Sequence, residues 1–413
     1  MTAKAHSAKT PWLTAAWLAA FAFSIVTGIF LAQVFAGIGF LVAVIGLFNG
    51  WTPRSKLTPT HYLIAALLLW LVIAAIASPD PMDSLNFLQT KFLVALLGFY
   101  AAYHLVQQHG AIRWLIPALM IAGVFSALNG IVQYFTGTDF LYGQFIETMP
   151  DEVVPFYLPV GLLNMALTFA GMQMLFFLAL LPWAVKQRKA QAFWAWAGMV
   201  IILLSVVLAF RRGPWMGLAG MLVLFLLTRN KKVAIISLIA GVVLIAGLFT
   251  FSDGFRTRIL DAANLSTHSE QDRVLMWQAS LEMGQENPVT GVGPGQWRTQ
   301  AEQRVDPNHD FVSLAHPHSD PLWLLSVSGY PGLILMLLVV GSVVVLGVRL
   351  FWLTPDHGDL PSLLAQGGVL GFGGLVIAGL TQCYLLDGEI MIAMGLFLGY
   401  TLGLSRKPDL GGR

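Results

Sequence analysis

Long apolar runs recur along this chain and constrain its fold more than any other feature. A helix needs about 20 predominantly apolar residues to cross a bilayer. Only 11% of the residues are charged, against about a quarter in soluble domains. We therefore predict an all-α polytopic membrane protein with about twelve transmembrane helices. The predicted spans are 12–29, 31–50, 61–78, 87–107, 114–134, 162–185, 192–210, 214–228, 233–251, 331–349, 362–381 and 388–404.

The distribution of the 23 basic residues predicts how these spans are oriented. Cytoplasmic connections are enriched in Lys and Arg, and a cytoplasmic N-terminus would place 15 of the 23 on the inner side. The first apolar run follows Lys4 and Lys9 with no small-residue cleavage site. We interpret it as a retained span rather than a removable signal peptide.

Two segments on the outer side are long enough to fold. The first, 135–161, is either a lid or a packed connection, and we favour the connection. The second, 252–320, is the longest stretch without a predicted span. It divides the chain into 1–251 (nine spans and the shorter outer loop), 252–320 (a large loop with helices) and 321–413 (three spans and a cytoplasmic C-terminus).

The middle of the large outer loop has a helical pattern from Asp272 to Gly284. Residues four apart lie on one face of a helix, so Arg273 and Trp277 should project together. We expect Val274 and Leu281 to seat this helix on the membrane domain.

The basic residues predicted on the outer side are unusual in kind, since seven of the eight are Arg. They are Lys91, Arg211, Arg212, Arg256, Arg258, Arg273, Arg298 and Arg304. A guanidinium group offers a planar fork of donors that grips phosphate oxygens bidentately. The alternative is a solvated loop in which Arg pairs with neighbouring acids. The set as a whole favours an anionic ligand at the outer face.

Arg211 and Arg212 stand together at a predicted membrane boundary, directly before Gly213-Pro214. Charge at that depth is costly and tends to mark the path of a ligand. The alternative is snorkelling of the two side chains to lipid headgroups.

The best-marked candidate site is the segment Ala315–Pro321. Asp320 followed by Pro321 predicts a helix start, with Asp320 as the N-cap, and Gly329–Gly332 should kink or end that helix. His318 would then face an aqueous cavity beside a helix N-terminus, which disfavours an imidazolium. A general base must be neutral, so the position suits one, although isolated histidines are more often structural.

The spacing of His318-Ser319, nine residues, Gly329, two residues and Gly332 resembles the signature of bacterial O-antigen ligases. That superfamily also contains O-antigen polymerases and protein O-oligosaccharyltransferases. The resemblance extends over about 205–345 by motif and over the whole chain by topology.

Three further motifs occur in the family's order. Arg212-Gly213 resembles an Arg-Gly pair that follows a transmembrane helix, and Arg273 with Trp277 resembles an Arg-x-x-x-Trp motif in the large loop. The glycine-rich turn at 291–295 also fits, although a structural turn is a better interpretation of it than a phosphate-binding loop. Arg211 has no certain counterpart.

The resemblance implies a GT-C-like glycosyltransferase of the bacterial inner membrane with its active site facing the periplasm. Such an enzyme transfers polysaccharide from undecaprenyl diphosphate to lipid A–core oligosaccharide. We assign Arg212, Arg273 and Arg211 to the diphosphate and His318 to the acceptor hydroxyl as base. The supporting residues would be His316, Ser319, Trp277, Gly329 and Gly332.

We expect an inverting reaction, because the acceptor would attack opposite the diphosphate. We also expect no cofactor and no metal, because no set of metal ligands stands out and Asp80 and Asp83 come closest to one. The expected partners are the lipid-linked donor, the lipid A–core acceptor and membrane lipids, with no nucleic acid. An O-antigen polymerase and a protein O-oligosaccharyltransferase remain alternatives within the superfamily. A lipid-linked glycan flippase or secondary transporter is the alternative from another class, although it should carry ionisable groups at mid-membrane.

Overall fold

The computed structural model describes residues 11–50, 52, 56–108, 112–141, 143, 157–229, 246–247, 249–250, 256–257, 260, 268–304, 315–353 and 358–405. The helices in this part of the chain are α1 (Pro11–Thr27), α2 (Ile29–Phe48), α3 (Pro59–Ile76), α4 (Pro81–Leu105), α5 (Ile112–Thr136), α6 (Ala166–Lys186), α7 (Lys189–Leu208), α8 (Arg212–Arg229), α9 (His268–Glu286), α10 (Trp297–Glu302), α11 (Asp320–Val348), α12 (Leu360–Ala378) and α13 (Gly388–Leu404). A π-helical turn, Arg349–Leu353, extends α11, and a 3-10 turn, Tyr384–Leu386, lies between α12 and α13.

Eight of the described helices are long and apolar enough to cross a membrane, namely α2 to α7, α11 with its π-helical turn, and α12. The apolar helices α1 and α13 are shorter. The chain is thus an all-α polytopic membrane protein, as its composition predicts. Eleven of the predicted spans overlap a described helix, but most of the span at 233–251 lies outside the described residues. The count of twelve therefore stays a prediction.

Burial separates a central helix from peripheral ones. In α6, 89% of the most apolar window is buried inside the protein, against 22% in α3. Helix α3 instead exposes large apolar side chains, including Leu69 at 62% and Ile76 at 60%. An exposed apolar surface of this kind suits lipid chains rather than water.

Helix α13 packs unusually close to α4. A Cβ atom on Gly395 would lie 2.3 Å from the Ala95 carbonyl oxygen, and one on Gly399 would lie 2.4 Å from the Phe99 carbonyl oxygen. Small residues allow transmembrane backbones to approach in this way. The segment that leads into α13 is consequently held beside α4.

Helix α11 consists of two parts that meet at a kink. Gly329 has φ 65° and ψ −172° there, which confirms the break predicted at Gly329–Gly332. The glycine-rich turn at 291–295 is attached to the first part, since Val292 N–H donates to the Ser326 carbonyl at 2.9 Å. Its three glycines have positive φ, and the turn leads from α9 to α10 while hydrogen-bonded to α11, which favours the structural interpretation.

The helix predicted in the large outer loop is confirmed as part of α9, but its expected buried face is wrong. Val274 and Leu281 are 42% and 41% exposed. The side chains that pack inward have at most 2% exposure and are Met276, Ala279 and Met283. Apolar residues occur on more than one side of this helix, so the pattern alone does not select the face.

The shorter outer segment is only partly described. Its end is fixed by Gln133, whose Oε1 atom accepts from the N–H groups of Val160 at 2.9 Å and Gly161 at 2.8 Å. Residues 144–156 lie outside the described residues, so the choice between a lid and a packed connection stays open.

Candidate active site

Residues 315–320, here called the His loop, lead into α11 and are anchored by α9. The Nε1–H of Trp277 donates to the Pro317 carbonyl at 2.8 Å. Arg273 lies one helical turn earlier on α9 and is half-buried. Trp277 thus contacts the His loop directly, and the charge of Arg273 acts on His316 in the same loop. Both effects agree with the prediction that these two side chains share a face of α9.

A second anchor comes from residues 379–387, here called the support loop, which connect α12 to α13. Ser319 N–H donates to the Cys383 Sγ atom at 3.3 Å. Asp320 N–H donates to the Gly379 carbonyl at 2.8 Å. The His loop is thus clamped between α9 and the support loop.

Asp320 does not cap α11, and that expectation is wrong. Ser319 is the N-cap, and its carbonyl accepts from Trp323 N–H at 2.9 Å. The Asp320 carboxylate is buried and accepts from Leu385 N–H in the support loop at 2.9 Å. The Asp320 side chain therefore accepts from the backbone of the support loop instead of from the first turn of its own helix.

His318 is held in a strained and oriented state. Its φ is 47°, a left-handed conformation that is uncommon outside glycine and clusters at functional sites. Its Nδ1 atom lies 2.8 Å from the Gln382 Oε1 atom. A carbonyl oxygen only accepts, so Nδ1 donates in this contact, and whenever the ring is neutral Nε2 is its basic nitrogen.

His316 packs edge-on against His318, with the ring centroids 4.3 Å apart. The backbone N–H of His318 donates to the His316 Nδ1 atom at 3.3 Å. Burial, together with the charges of His318, Lys91 and Arg273, lowers the pKa of His316 to about 3. His316 is therefore neutral at physiological pH, and the charges of Lys91 and Arg273 help to keep it so.

The predicted set of outer basic residues divides into two groups. Arg298 pairs with Glu302 at 3.0 Å and Arg304 pairs with Glu286, as the solvated-loop alternative expects. The charges of Arg273 and Lys91 instead act on His316. Arg258 lies outside the described residues.

Arg211 directly precedes α8 and Arg212 begins it, and the start of this helix lies beside the support loop. A Cβ atom on Gly213 would lie 3.2 Å from the Thr381 Oγ1 atom and 3.3 Å from the Ala378 carbonyl oxygen, so the start of α8 packs on this loop. Burial raises the pKa of Tyr384, whereas the charge of Arg211 lowers it. Both arginines are half-buried.

The two glycines of the predicted motif shape α11. A Cβ atom on Gly329 would lie 2.3 Å from the Val289 carbonyl oxygen. A Cβ atom on Gly332 would overlap the side chain of Ser328, whose carbonyl accepts from Trp70 Nε1–H at 2.8 Å. These positions set the direction of the helix that carries the His loop.

Two residues of the site, Gln382 and Asp387, escaped the sequence analysis, and Lys91 was named there only among the outer basic residues. Gln382 orients His318, and Lys91 on α4 donates from Nζ to the Leu386 carbonyl at 2.8 Å. Asp387 accepts from the Thr168 hydroxyl, and burial raises the pKa of Asp387 to about 6. The only signals were a lysine among outer arginines and the polar pair Thr381-Gln382 between two apolar helices.

The acids considered for a metal have structural partners. The Asp80 carboxylate accepts from Asp83 N–H at 3.0 Å at the start of α4, and Asp83 accepts from Gln296 Nε2 at 2.8 Å. Within the described part of the chain, no group of three or more His, Cys, Asp or Glu side chains could hold a metal ion.

Residues 197–337 match the family model described as O-antigen ligase. This stretch is therefore similar to O-antigen ligases. Among curated proteins, none matches the chain significantly. The matched stretch covers about a third of the chain, and the match confirms the resemblance to the O-antigen ligase superfamily that the motifs indicate.

The matched stretch contains Arg211, Arg212, Arg273 and His318 but not the whole candidate site. Lys91 precedes the matched residues, and the support loop follows them. The contact that orients His318 and one of the two cations that act on His316 therefore come from outside the matched stretch.

Proposed function

We propose that this protein is an O-antigen ligase. It transfers polysaccharide from undecaprenyl diphosphate to lipid A–core oligosaccharide at the periplasmic face of the bacterial inner membrane. The observation that carries the proposal is the orientation of His318, whose Nδ1 atom is held by Gln382. The neighbouring His316 has its pKa lowered by the charges of Lys91 and Arg273, in addition to burial. The family match supports the same assignment.

The cations serve the leaving group. The donor's bond to diphosphate already stores the energy of transfer, and the diphosphate takes on negative charge as that bond breaks. Arg273, Arg212 and Lys91 stabilise this charge, as preorganised cations do in other group transfers. Arg211, whose charge lowers the pKa of Tyr384 in the support loop, adds to the stabilisation of the leaving diphosphate.

His318 serves the acceptor. Its Nε2 atom takes the proton of the acceptor hydroxyl as the hydroxyl oxygen bonds to the anomeric carbon. The bond from that carbon to the diphosphate oxygen breaks, and the polyprenyl diphosphate leaves with the electron pair. Attack opposite the leaving group inverts the anomeric centre, and no step needs a metal ion.

Transfer in vitro tests this proposal, with purified protein, lipid-linked glycan and lipopolysaccharide that lacks O-antigen. A ligase shifts the lipopolysaccharide to longer species. Longer lipid-linked glycan without that shift would instead establish a polymerase, and glycan on an added protein acceptor would establish an O-oligosaccharyltransferase. Glycan movement across sealed vesicles without transfer would establish a flippase or transporter.

Two further measurements test the chemistry. His318→Ala should lower the rate of transfer by about 10²–10⁴-fold, the usual contribution of a general base, and a wild-type rate would remove that role. EDTA should leave transfer unchanged. Loss of activity that magnesium restores would refute the metal-free mechanism.

A further inference from the structure

Exposed cations gather where three helices meet at one end of the bundle. They are Arg113 at the start of α5, Lys186 at the end of α6, and Arg188 and Lys189, which lead into α7. The stretches 84–138 and 162–229 supply no counter-charge, because neither contains an acid. These helix ends therefore present only positive charge.

Helices α5 and α7 lie side by side and run in the same direction. A Cβ atom on Gly198 of α7 would lie 2.5 Å from the Met120 Sδ atom of α5. A Cβ atom on Gly123 of α5 would lie 2.9 Å from the Ile202 Cδ1 atom of α7. The residue numbers rise together along both helices, so their first turns lie at the same end of the bundle.

Arg113 and Lys189 lie at nearly the same depth at that end. Arg113 precedes Met120 by seven residues, which is about 10 Å along α5. Lys189 precedes Gly198 by nine residues, which is about 14 Å along α7. Residues seven apart share a face of a helix, so Arg113 projects from the same face of α5 as Met120, toward α7.

Exposed aromatic side chains flank these cations. Trp114 is 51% exposed, Phe193 is 67% exposed and Trp194 is 72% exposed. The Arg113 guanidinium lies 5.9 Å from the centroid of the Trp114 ring. Tryptophan rings concentrate at the headgroup level of membranes, whereas an anion dissolved in water would use the cations alone. We call this set the α5–α7 corner, and it consists of Arg113, Trp114, Arg188, Lys189, Phe193 and Trp194.

Apolar stripes continue from the α5–α7 corner along both helices. On α5 the stripe includes Ile121 and Leu128, which are 62% and 43% exposed. On α7 it includes Val200 and Leu204, which are 59% and 44% exposed. Exposed apolar surface on helices of this kind suits lipid chains. The corner thus joins a cationic end to a surface that lipid chains cover.

We propose that the α5–α7 corner binds a phospholipid with an anionic headgroup. Arg113 and Lys189 meet the phosphate, Trp114 and Trp194 lie at the level of the glycerol, and the acyl chains follow the two stripes. Basic sites between transmembrane helices bind anionic headgroups in this way. The positive charge selects the headgroup, and the exposed rings favour a lipid over a soluble phosphate.

The α5–α7 corner is far from the candidate active site. Helix α7 has 20 residues and ends at Leu208, three residues before Arg211. At about 1.5 Å per residue, its two ends are about 30 Å apart. The lipid therefore belongs to the opposite leaflet, which is the cytoplasmic one in the predicted orientation. The inference thus goes beyond the proposed function.

Paired charge variants test the proposal. Arg113→Gln with Lys189→Gln removes two charges from the corner. Lys56→Gln with Lys186→Gln removes two exposed charges outside it, since Lys56 precedes α3 and the Lys186 Nζ atom would lie 3.9 Å from a Cβ atom on Gly358, before α12. Native mass spectrometry counts the phosphatidylglycerol and phosphatidylcholine that each protein retains from micelles containing both in equal amounts.

We expect wild type to retain phosphatidylglycerol in preference to phosphatidylcholine. The corner variant should bind phosphatidylglycerol more weakly by about fivefold for each charge removed, whereas the control variant should match wild type. Equal retention of the two lipids by wild type would overturn the proposal. Equal losses in the two variants would also overturn it, because the total charge of that end would then suffice.

A tryptophan pair tests whether the ligand is a lipid. Trp194→Ala should weaken retention of phosphatidylglycerol, whereas Trp12→Ala, at a side chain that is 65% exposed on α1, should not. Displacement of phosphatidylglycerol by soluble glycerol phosphate or by an acidic peptide would refute the proposal, since the corner would then be a site for a soluble anion or for a partner protein.

Photolabelling of wild type needs no variant to fold. Phosphatidylglycerol with a photoreactive headgroup, incorporated in nanodiscs with the full chain, should label 112–114 and 188–194. Labelling of Trp12 and Lys56 to the same extent would contradict a site at the corner.

Discussion

The Nδ1 atom of His318 lies 2.8 Å from the Oε1 atom of Gln382, although 64 residues separate the two in the sequence. Gln382→Leu removes the acceptor that fixes the ring tautomer. We expect kcat for transfer to fall about tenfold, a part of what a general base contributes, with KM for both substrates unchanged. Steady-state kinetics with the purified protein measure the split.

The variant Gln382→Glu separates orientation from packing. A carboxylate beside Nδ1 stabilises the imidazolium and raises the pKa of His318. The acidic limb of the rate profile should then move to higher pH, because the base must lose its proton first. Gln278→Glu adds the same charge at an exposed position of α9 and should leave the limb in place. Identical profiles in all three proteins would refute the positioning role.

Arg273 should be essential, whereas Arg298 should not. Arg273 acts on His316 within the site, but Arg298 is 58% exposed and pairs with Glu302 on the same helical turn. We expect Arg273→Ala to lower kcat/KM about 10²–10³-fold, as for loss of one preorganised donor. Arg273→Lys should recover part of it, and Arg298→Ala should stay near wild type. Equal effects of the two alanine variants would contradict the division of arginines.

His316 should make folding sensitive to acid. Its pKa is about 3 in the folded protein because of burial, against 6.5 ordinarily. The unfolded chain therefore takes up a proton at this residue first, and stability present above pH 6.5 is lost as the pH falls toward 3. At about 1.4 kcal/mol per pH unit, the full loss is roughly 5 kcal/mol.

Thermal unfolding in detergent at several pH values measures this effect. His316→Gln keeps a polar side chain without a titrating group, so its melting temperature should fall less between pH 7 and pH 4 than that of wild type. The quantity to compare is the slope of melting temperature against pH in the two proteins, since all other groups titrate in both. Parallel slopes would contradict the burial of a neutral His316.

Two glycines of α11 should respond to alanine with opposite signs. Gly329 has positive φ, and a Cβ atom there would meet the Val289 carbonyl oxygen, so Gly329→Ala should destabilise the protein by about 1–3 kcal/mol. Around Gly341 a Cβ atom would meet nothing within 4 Å. Gly341→Ala should therefore be neutral or stabilise by up to about 1 kcal/mol. Melting temperatures that fall equally in both would contradict the kink.

The sequence predicts the helices well because a helix that crosses a membrane must be apolar along most of its length, so each span is visible in the local sequence. Predicted spans overlap α1 to α8 and α11 to α13. The break at Gly329 was also visible, since glycine and proline act locally. The face of α9 was not, because apolar side chains at Val274 and Leu281 stay exposed while Met276 and Met283 pack inward.

The site was predictable only in its local half. His318, Arg273 and Trp277 stand out by residue type and spacing. Gln382 and Lys91 reach the site through contacts between segments far apart in the chain, and no local pattern encodes such contacts. The same reason explains Asp320, whose partner Leu385 lies 65 residues away.

The support loop also bears on how the protein is made. Ribosomes deliver the chain from its N-terminus, so His318 enters the membrane machinery before Gln382 is synthesised. Until α12 and α13 have been inserted, the imidazole lacks the partner that fixes its tautomer. A half-inserted chain therefore has His318 in place before Gln382 can orient its ring. On the proposed function, transfer would begin only after α12 and α13 have been inserted.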